Sequence, residues 1–459
     1  MDHRRGGCAI LLLCALSVAP ARAQQKTGPG VAADDRLTWH GITLYGVVDA
    51  GIQYDSHSAP FTPFRPAASG NVVRSNDYSS PVGVTPSNMG QSRIGLQVNE
   101  RLAGGVSVVL EVESFFNPQS GELADSMKSI TRNNGKPVDQ QRIGVDGSSA
   151  GQVFQTDFIA LHVARFGELT VGRQVTLLSE GMIQYDPNFL STAFGLLGGT
   201  NQYAGGGSNE DNRLDDTVKY LAGYGGPMHL GAMYKYRKSA GSGDTAWQAD
   251  IGGNFAGASL DAYYSKINSA IAATALNSAQ ANALLTLGFP LGDSVSATIS
   301  DNTAYALMAS YRFDAFRFFA GYEHIKWTDP ARPLPAGYRD IGDYVLAFVT
   351  NSAYVDPKQV QVYWSGIRYS VIPKIDLTGA FYLVHQDAYG TGIQAGCATA
   401  AHSTCSGRTG AVSLDADYRL NVHLDFYVGA MYSVVHDGMA SGYLHSTNIN
   451  PTIGFRYKF

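Results

Sequence analysis

Residues 93–113 read RIGLQVNERLAGGVSVVLEVE, and two strands joined by a tight turn are written in them. Ile94, Leu96 and Val98 share one parity, against Arg93, Gln97 and Asn99 on the other. After Ala103-Gly104 the pattern resumes, with Val106, Val108, Leu110 and Val112 against Ser107, Glu111 and Glu113. Successive side chains of a strand point to opposite faces, so each run makes a ribbon with one apolar and one polar face. A soluble sandwich also contains such ribbons. Their number, and the way they are joined, separates a sandwich from a membrane wall.

The same alternation recurs from end to end. It predicts about sixteen strands, of the length a tilted membrane strand needs. They cover approximately 43–54, 91–101, 105–115, 155–164, 167–174, 213–223, 227–237 and 246–255. The series continues over 257–267, 302–313, 315–327, 359–371, 373–386, 410–420, 422–435 and 448–459. Between them, connectors alternate in length. Long ones run 55–90, 116–154, 175–212, 268–301, 328–358 and 387–409, with shorter members at 238–245 and 436–447. The intervening joints are tight: Ala103-Gly104, Arg165-Phe166, Tyr224-Gly225-Gly226, Ala256, Asp314, Ile372 and Asn421. A barrel with short turns on one rim and long loops on the other predicts this sorting, whereas a sandwich has no reason to sort loops by parity.

The N-terminal residues bear on the compartment. Arg4 and Arg5, an apolar run from Ala9 to Ala19 and Ala21-Arg22-Ala23 before Gln24 have the pattern of a secretory signal peptide. Residues 1–23 are therefore expected to be removed, leaving 24–42 as an N-terminal segment and 43–459 as the barrel. Past Gln24 no apolar stretch approaches the ~20 residues of a membrane helix. In lipid only helices and closed barrels satisfy every backbone group. The 52 Gly, 26 Tyr and 20 Phe favour strands, turns and aromatic girdles. The net charge of −5, more negative once Arg4, Arg5 and Arg22 leave with Asp2, gives no basic face for nucleic acid.

Of four cysteines, Cys8 and Cys14 lie in the signal segment, while Cys397 and Cys405 sit together in a stretch rich in Gly, Ala, Ser and Thr. A local disulfide is the expected state outside the cell, and a metal site that includes His402 is the alternative. The last residues, Ile453 to Phe459, alternate again: Ile453, Phe455, Tyr457 and Phe459 toward lipid, Arg456 and Lys458 toward the interior.

Several stretches resemble the general-porin family of proteobacterial outer membranes, the branch of trimeric porins of Neisseria, Bordetella and Burkholderia type. These are Thr43 to Gly51, Ser92 to Leu96 with Glu100 to Gly105, Gly167 to Gln174, Asn212 to Tyr220, and Phe459. The resemblance follows the family's order over nearly the whole chain after residue 42. It implies a 16-stranded antiparallel transmembrane β-barrel in the outer membrane, crossed by small hydrophilic solutes and ions, assembled as a homotrimer and needing no cofactor. The long loops around 116–154 and 328–358 and the pair Cys397/Cys405 depart from what the family implies.

In that family a third long loop folds inward and narrows the pore. Here it would be 175–212, with Glu180, Asp186, Glu210 and Asp211 as constriction acids and Phe189, Leu190, Phe194 and Leu196 as anchors. Basic residues are expected on the facing wall. Arg93, Arg213, Lys219, Arg368, Arg419 and Arg456 qualify by parity, whereas Arg173 shares its parity with Leu169 and Val171. Passive diffusion is the expected function. A substrate-specific channel, a barrel enzyme such as a phospholipase and a secreted soluble sandwich are the alternatives. Nucleophile and metal chemistry have little to build on. Gly147-Ser148-Ser149-Ala150-Gly151 sits in a polar loop rather than on a strand-to-helix elbow, and Gly205-Gly206-Gly207 lacks the Lys-Ser/Thr of a phosphate loop. His162, His324, His385, His423, His436 and His445 have no ligand spacing.

Overall fold

A computed structural model describes residues 37–58, 80–137, 140–141, 151–199, 203, 206–207, 212–224, 226–236, 245–288, 290–339 and 341–459. The strands are β1 (Leu37–Trp39), β2 (Ile42–Tyr54), β3 (Val82–Pro86), β4 (Arg93–Arg101), β5 (Val106–Phe115), β6 (Thr156–Val163), β7 (Gly167–Val175), β8 (Arg213–Ala222), β9 (Met228–Lys235) and β10 (Ala246–Phe255). They continue as β11 (Ala258–Thr274), β12 (Ser294–Phe313), β13 (Phe316–Thr328), β14 (Val345–Thr350), β15 (Lys358–Ile372), β16 (Ile375–Gln386), β17 (Gly407–Arg419), β18 (Leu424–Asp437), β19 (Thr447–Ile449) and β20 (Thr452–Lys458).

Sixteen of these strands close into one antiparallel barrel. Each pairs with its neighbour from β4 through β13, then through β15 to β18 and on to β20. The ring shuts where β2 pairs with β20, from Val47↔Lys458 to Gln53↔Thr452, and with β4 on its other side. No backbone edge is left for lipid. The expected parity of the connections holds: short joints such as 314–315 and 373–374 share one rim, and the long connections share the other. Alternation reads out as burial. Ile94, Leu96, Leu110, Ile453, Phe455 and Tyr457 are exposed on the outside, while Glu111 and Glu113 are buried within.

The long-connection rim holds more order than the alternation predicts. β3 lies inside 55–90, β14 inside 328–358, and the helices Ser126–Thr131 and Ser278–Thr286 inside 116–154 and 268–301. The β11–β12 hairpin was expected to end at 267 and resume at 302, yet pairing continues to Thr274↔Ser296 past an irregularity at Ile267/Ala270. Beyond it one face is covered: Ile271, Ala273, Val295, Ala297 and Ile299 are packed with Met127, Leu334, Ile341 and Leu346, while Ala272, Ser296 and Thr298 on the other face are half-buried. The irregularity resets the parity, and Ala270, Ala272 and Ala273 offer little polar–apolar contrast, so the alternation of 257–267 does not carry through to Thr274. The alternation also misses β1. Residues 1–36, and with them the expected signal peptide, lie outside the described residues.

Candidate functional site

The barrel interior is lined with charge. On β2, β4 and β5, Arg93 Nε lies 3.1 Å from Glu113 Oε2. Tyr45 donates to both Glu111 and Glu113 at 3.2 Å, and Gln97 donates to Glu111 at 3.0 Å. Across the seam, Arg419 meets Asp376 at 2.6 Å, Arg456 meets Asp425 at 2.7 Å and Asp417 at 3.5 Å, and Lys458 meets Asp425 at 2.6 Å. Asp49 completes this network, accepting from Tyr427 at 2.7 Å and from the backbone of Met89 and Gly90.

The connection after β7 lies against these inward-facing side chains. It opens as the helix Leu177–Tyr185, capped by the Thr176 hydroxyl, which accepts from Ser179 N, with Glu180 in the first turn. A hydroxyl at the cap and an acid near the positive helix end both favour a start at this point. Leu177, Leu178, Met182 and Tyr185 are buried in one apolar cluster with Met233, Tyr263, Met308 and Trp364 of the wall. Trp364 Nε1 donates to Tyr185 O at 3.0 Å. Next, Tyr382 donates to Asp186 at 2.7 Å, Arg368 donates to Pro187 O at 2.6 Å, and Asn188 donates to Ser413 at 3.0 Å. Gly366 permits that approach, since a Cβ there would stand 2.5 Å from Pro187 Cγ. The segment ends against Asn88 and Asn450, which hold the backbone of Ala193 at 3.0 and 2.8 Å.

The predicted residues divide by environment. Glu180 faces Lys219 at 2.7 Å, joining the segment to β8. Asp186 is fully buried rather than facing open solvent. Burial pushes its carboxyl up to about 6, against the pull of the Tyr382 hydroxyl and Leu190 N–H that hydrogen-bond to it. The Arg368 guanidinium covers the Phe189 ring at 4.0 Å, and Arg213 covers Phe115 at 4.6 Å. Arg93, Arg419 and Arg456 lie in the wall networks. Glu210 and Asp211 fall outside the described residues.

Arg173, Arg213, Lys219 and Asp215 do not follow one uninterrupted alternation. Between β7 and β8 the register shifts, so that Asp215 and Asp216 together oppose Arg173. Arg173 and Asp215 form an ion pair, and Leu214 turns into the interior apolar cluster instead. The extra residue is on β8, where Asp216 takes a φ of +52°; beside it Gly172, at φ +132°, lets β7 approach β6, since a Cβ would meet Asp157 O at 2.3 Å. Parity counting cannot see a bulge. It also missed Arg317, whose guanidinium lies 4.7 Å over Phe319, and the carboxylates Asp376, Asp417 and Asp425 that pair with the expected arginines. Their spacing at every second residue with inward neighbours was the available signal.

Cys397 and Cys405 are joined by a disulfide, and His402 Nδ1 contacts Gln394 instead of a metal-binding group. Among the described residues no cluster of His, Cys, Asp and Glu has metal-site geometry. The serine-containing Gly147–Gly151 stretch lies largely outside the described residues, as does Gly205.

Comparison with known proteins agrees with this architecture. Outer membrane porin protein 32 of Delftia acidovorans is 24% identical over 218 residues, 47% of this chain and 50% of that one. The chain thus spans about half the length of the curated relative it matches. The anion-selective porin from Comamonas acidovorans has a similar fold, with 17% identity, 91% of this chain and 99% of that one covered and a TM-score of 0.57. So does the trimer form of OmpT, an outer membrane protein of Vibrio cholerae, with 14% identity, 91% and 99% coverage and a TM-score of 0.56. The Gram-negative porin profile matches residues 9–438, and the chain belongs to that family.

Proposed function

We propose that the protein is an outer-membrane porin through which small hydrophilic solutes and ions diffuse passively, with no bond chemistry of its own. The observation that carries this is the inward face. A ring of sixteen strands leaves room for water, and here charged side chains from β2 round to β20 line it. The connection 175–212 acts as the inward-folded third loop. Its anchors on Trp364, Tyr382, Arg368 and Asn450 run along the inner wall, so it narrows the passage.

At that narrowing the charges are unequal. Arg93, Lys219, Arg419 and Arg456 each have a carboxylate partner. Arg317 and Arg368 lie over Phe319 and Phe189, with no carboxylate in ion-pair distance among the described residues. Two guanidinium groups without a contacting carboxylate in a confined aqueous space favour anions over cations. The likeness to a Comamonas porin described as anion-selective agrees with that preference, and the likeness to a trimer form of OmpT supports a homotrimer. Glu180 and Asp186 then hold the loop: Glu180 tethers it to Lys219, and Asp186 anchors it beneath Tyr382.

Single-channel recording in a planar bilayer under a salt gradient tests this. Current steps that close in threes, with a reversal potential of the sign for anions, are expected. Arg317→Ala with Arg368→Ala moves the reversal potential toward zero. Folded protein that carries no current overturns the proposal.

A further inference from the structure

The outside of the barrel carries a polar row where lipid contact calls for apolar residues. The register sets Tyr305 opposite His324, His324 opposite Gln361, Gln361 opposite His385, His385 opposite Arg408, and Arg408 opposite His436. Six neighbouring strands thus contribute one residue each to a straight line. At ~4.8 Å per strand it is about 24 Å long. Their parity is that of the exposed Leu307, Tyr363, Phe381, Val412 and Tyr432, so the row faces outward. One step nearer the long connections, Lys266 and Lys326 flank Thr303 on the same face.

Position narrows what the row can meet. It lies at the long-connection end of β13 and β15–β18, immediately beyond the exposed aromatic band. That is the depth of lipid headgroups rather than hydrocarbon. Cations pointing outward at that depth stand where anionic headgroups can meet them. One carboxylate does so in part: Asp387 lies 3.3 Å from His385 and accepts from Gln361 at 3.2 Å. Arg408, Lys266 and Lys326 have no ion-pair partner among the described residues. Arg408 offers a guanidinium fork suited to phosphate, and the two lysines offer compact charges beside it.

We propose that this collar binds the phosphate groups of an anionic lipid in the leaflet on the long-connection side of the membrane. Tyr305, stacked on His324 at 4.8 Å, stiffens the row from its end, and Trp247, stacked on Tyr264 at 4.5 Å, stands beside Lys266. The site lies on the outer wall, so it holds whether or not the lumen conducts.

The test is native mass spectrometry of the purified full-length protein, released from phosphatidylcholine vesicles doped with diphosphoryl lipid A. Retained lipid A in excess of phosphatidylcholine is expected. Lys326→Gln with Arg408→Gln should weaken retention about 25-fold, a factor of about five per charge at a membrane surface. Arg408→Lys, which keeps the charge but loses the fork, should fall between, so the proposal stays testable if the double variant does not fold. Lys374→Gln, at a tight turn on the opposite rim, should retain lipid A like the unaltered protein. Equal retention by the double variant overturns the proposal. So does equal retention of phosphatidylcholine, or displacement of lipid A by inorganic phosphate as effective as by more lipid. A double variant that loses its oligomer while keeping its lipid would assign the row to contact between copies and overturn it equally.

Discussion

Two of the barrel's long connections leave the same rim and find different partners. The connection after β7 is held on the inner wall by polar contacts spread over many strands: Lys219 to Glu180, Tyr382 to Asp186, Arg368 to Pro187 and Asn450 to Ala193. The connection between β11 and β12 extends its own hairpin away from the wall. Together with segments of 116–154 and 328–358 it buries an apolar core of Met127, Ile271, Val295, Ile299, Leu334 and Leu346. The first borrows its stability from the barrel, and the second builds a small domain on top of it. The inner segment needs both kinds of contact: it buries Leu177, Leu178, Met182 and Tyr185 against the wall, and directional bonds fix its place in an interior where water competes. A loop bundle outside the wall can exclude water by itself, so apolar burial suffices.

Perturbations should therefore separate the two regions. The largest effect is expected from Trp364→Ala, which removes a buried indole and the hydrogen bond to Tyr185 O. The loss should be about 4 kcal/mol in urea unfolding from lipid vesicles. Single-channel current should also rise and grow noisy as the segment loosens. Reduced stability at unchanged conductance would mean that the segment does not set the bore. Ile299→Ala should cost about 3 kcal/mol, but locally. Faster proteolysis of the long connections with unaltered conductance is the expected pair of results, and a changed conductance would break the separation.

Next in size is Asn134→Ala. That one side chain donates to Leu291 O and Ser294 O at 2.7 and 2.6 Å and accepts from Leu276 N at 2.8 Å, tying two connections together. Leaving those groups without partners should cost about 2 kcal/mol. Hydrogen exchange at the Leu276 amide reads it directly, and unchanged protection would assign the cap's cohesion to its apolar core alone.

The same contrast explains what the sequence discloses. The wall was legible because each strand is wet on one face and lipid-covered on the other, as in 93–97 and 110–113, where exposure follows the predicted parity. Sorting of connector lengths exposed the topology for the same reason. The cap was less legible: past the irregularity at Ile267/Ala270 the parity resets and Ala270, Ala272 and Ala273 offer little contrast, so 268–301 reads as loop. At the site, parity brought Arg93, Arg368, Arg419 and Arg456 to the interior, but it could not pair them with Glu113, Asp376 or Asp425 across strands. It also failed at Arg173, where a bulge on the facing β8 resets the count.

The smallest effect, and the most specific to the inner segment, is a pH dependence at Asp186. Its carboxyl is buried, and burial pushes its pKa up to about 6 from the ordinary 3.8. A raised carboxyl binds its proton more tightly folded than unfolded. The resulting stability is fully present below the unfolded value and is lost as pH rises through the folded one. Between about pH 7 and pH 5 the folded protein should therefore gain roughly 1 kcal/mol from this group. The measurement is a difference between two proteins, which isolates this group. Asp186→Asn has the shape of the protonated acid: its amide oxygen can accept from Leu190 N while its amide nitrogen donates to the Tyr382 hydroxyl, keeping both contacts seen in the structure. The variant should match or exceed the unaltered protein in stability at the upper pH, and its pH dependence should be flatter by that roughly 1 kcal/mol. Parallel curves for the two proteins would mean that Asp186 stays ionised beneath Tyr382, and that the segment is anchored there by a charge rather than by a shared proton.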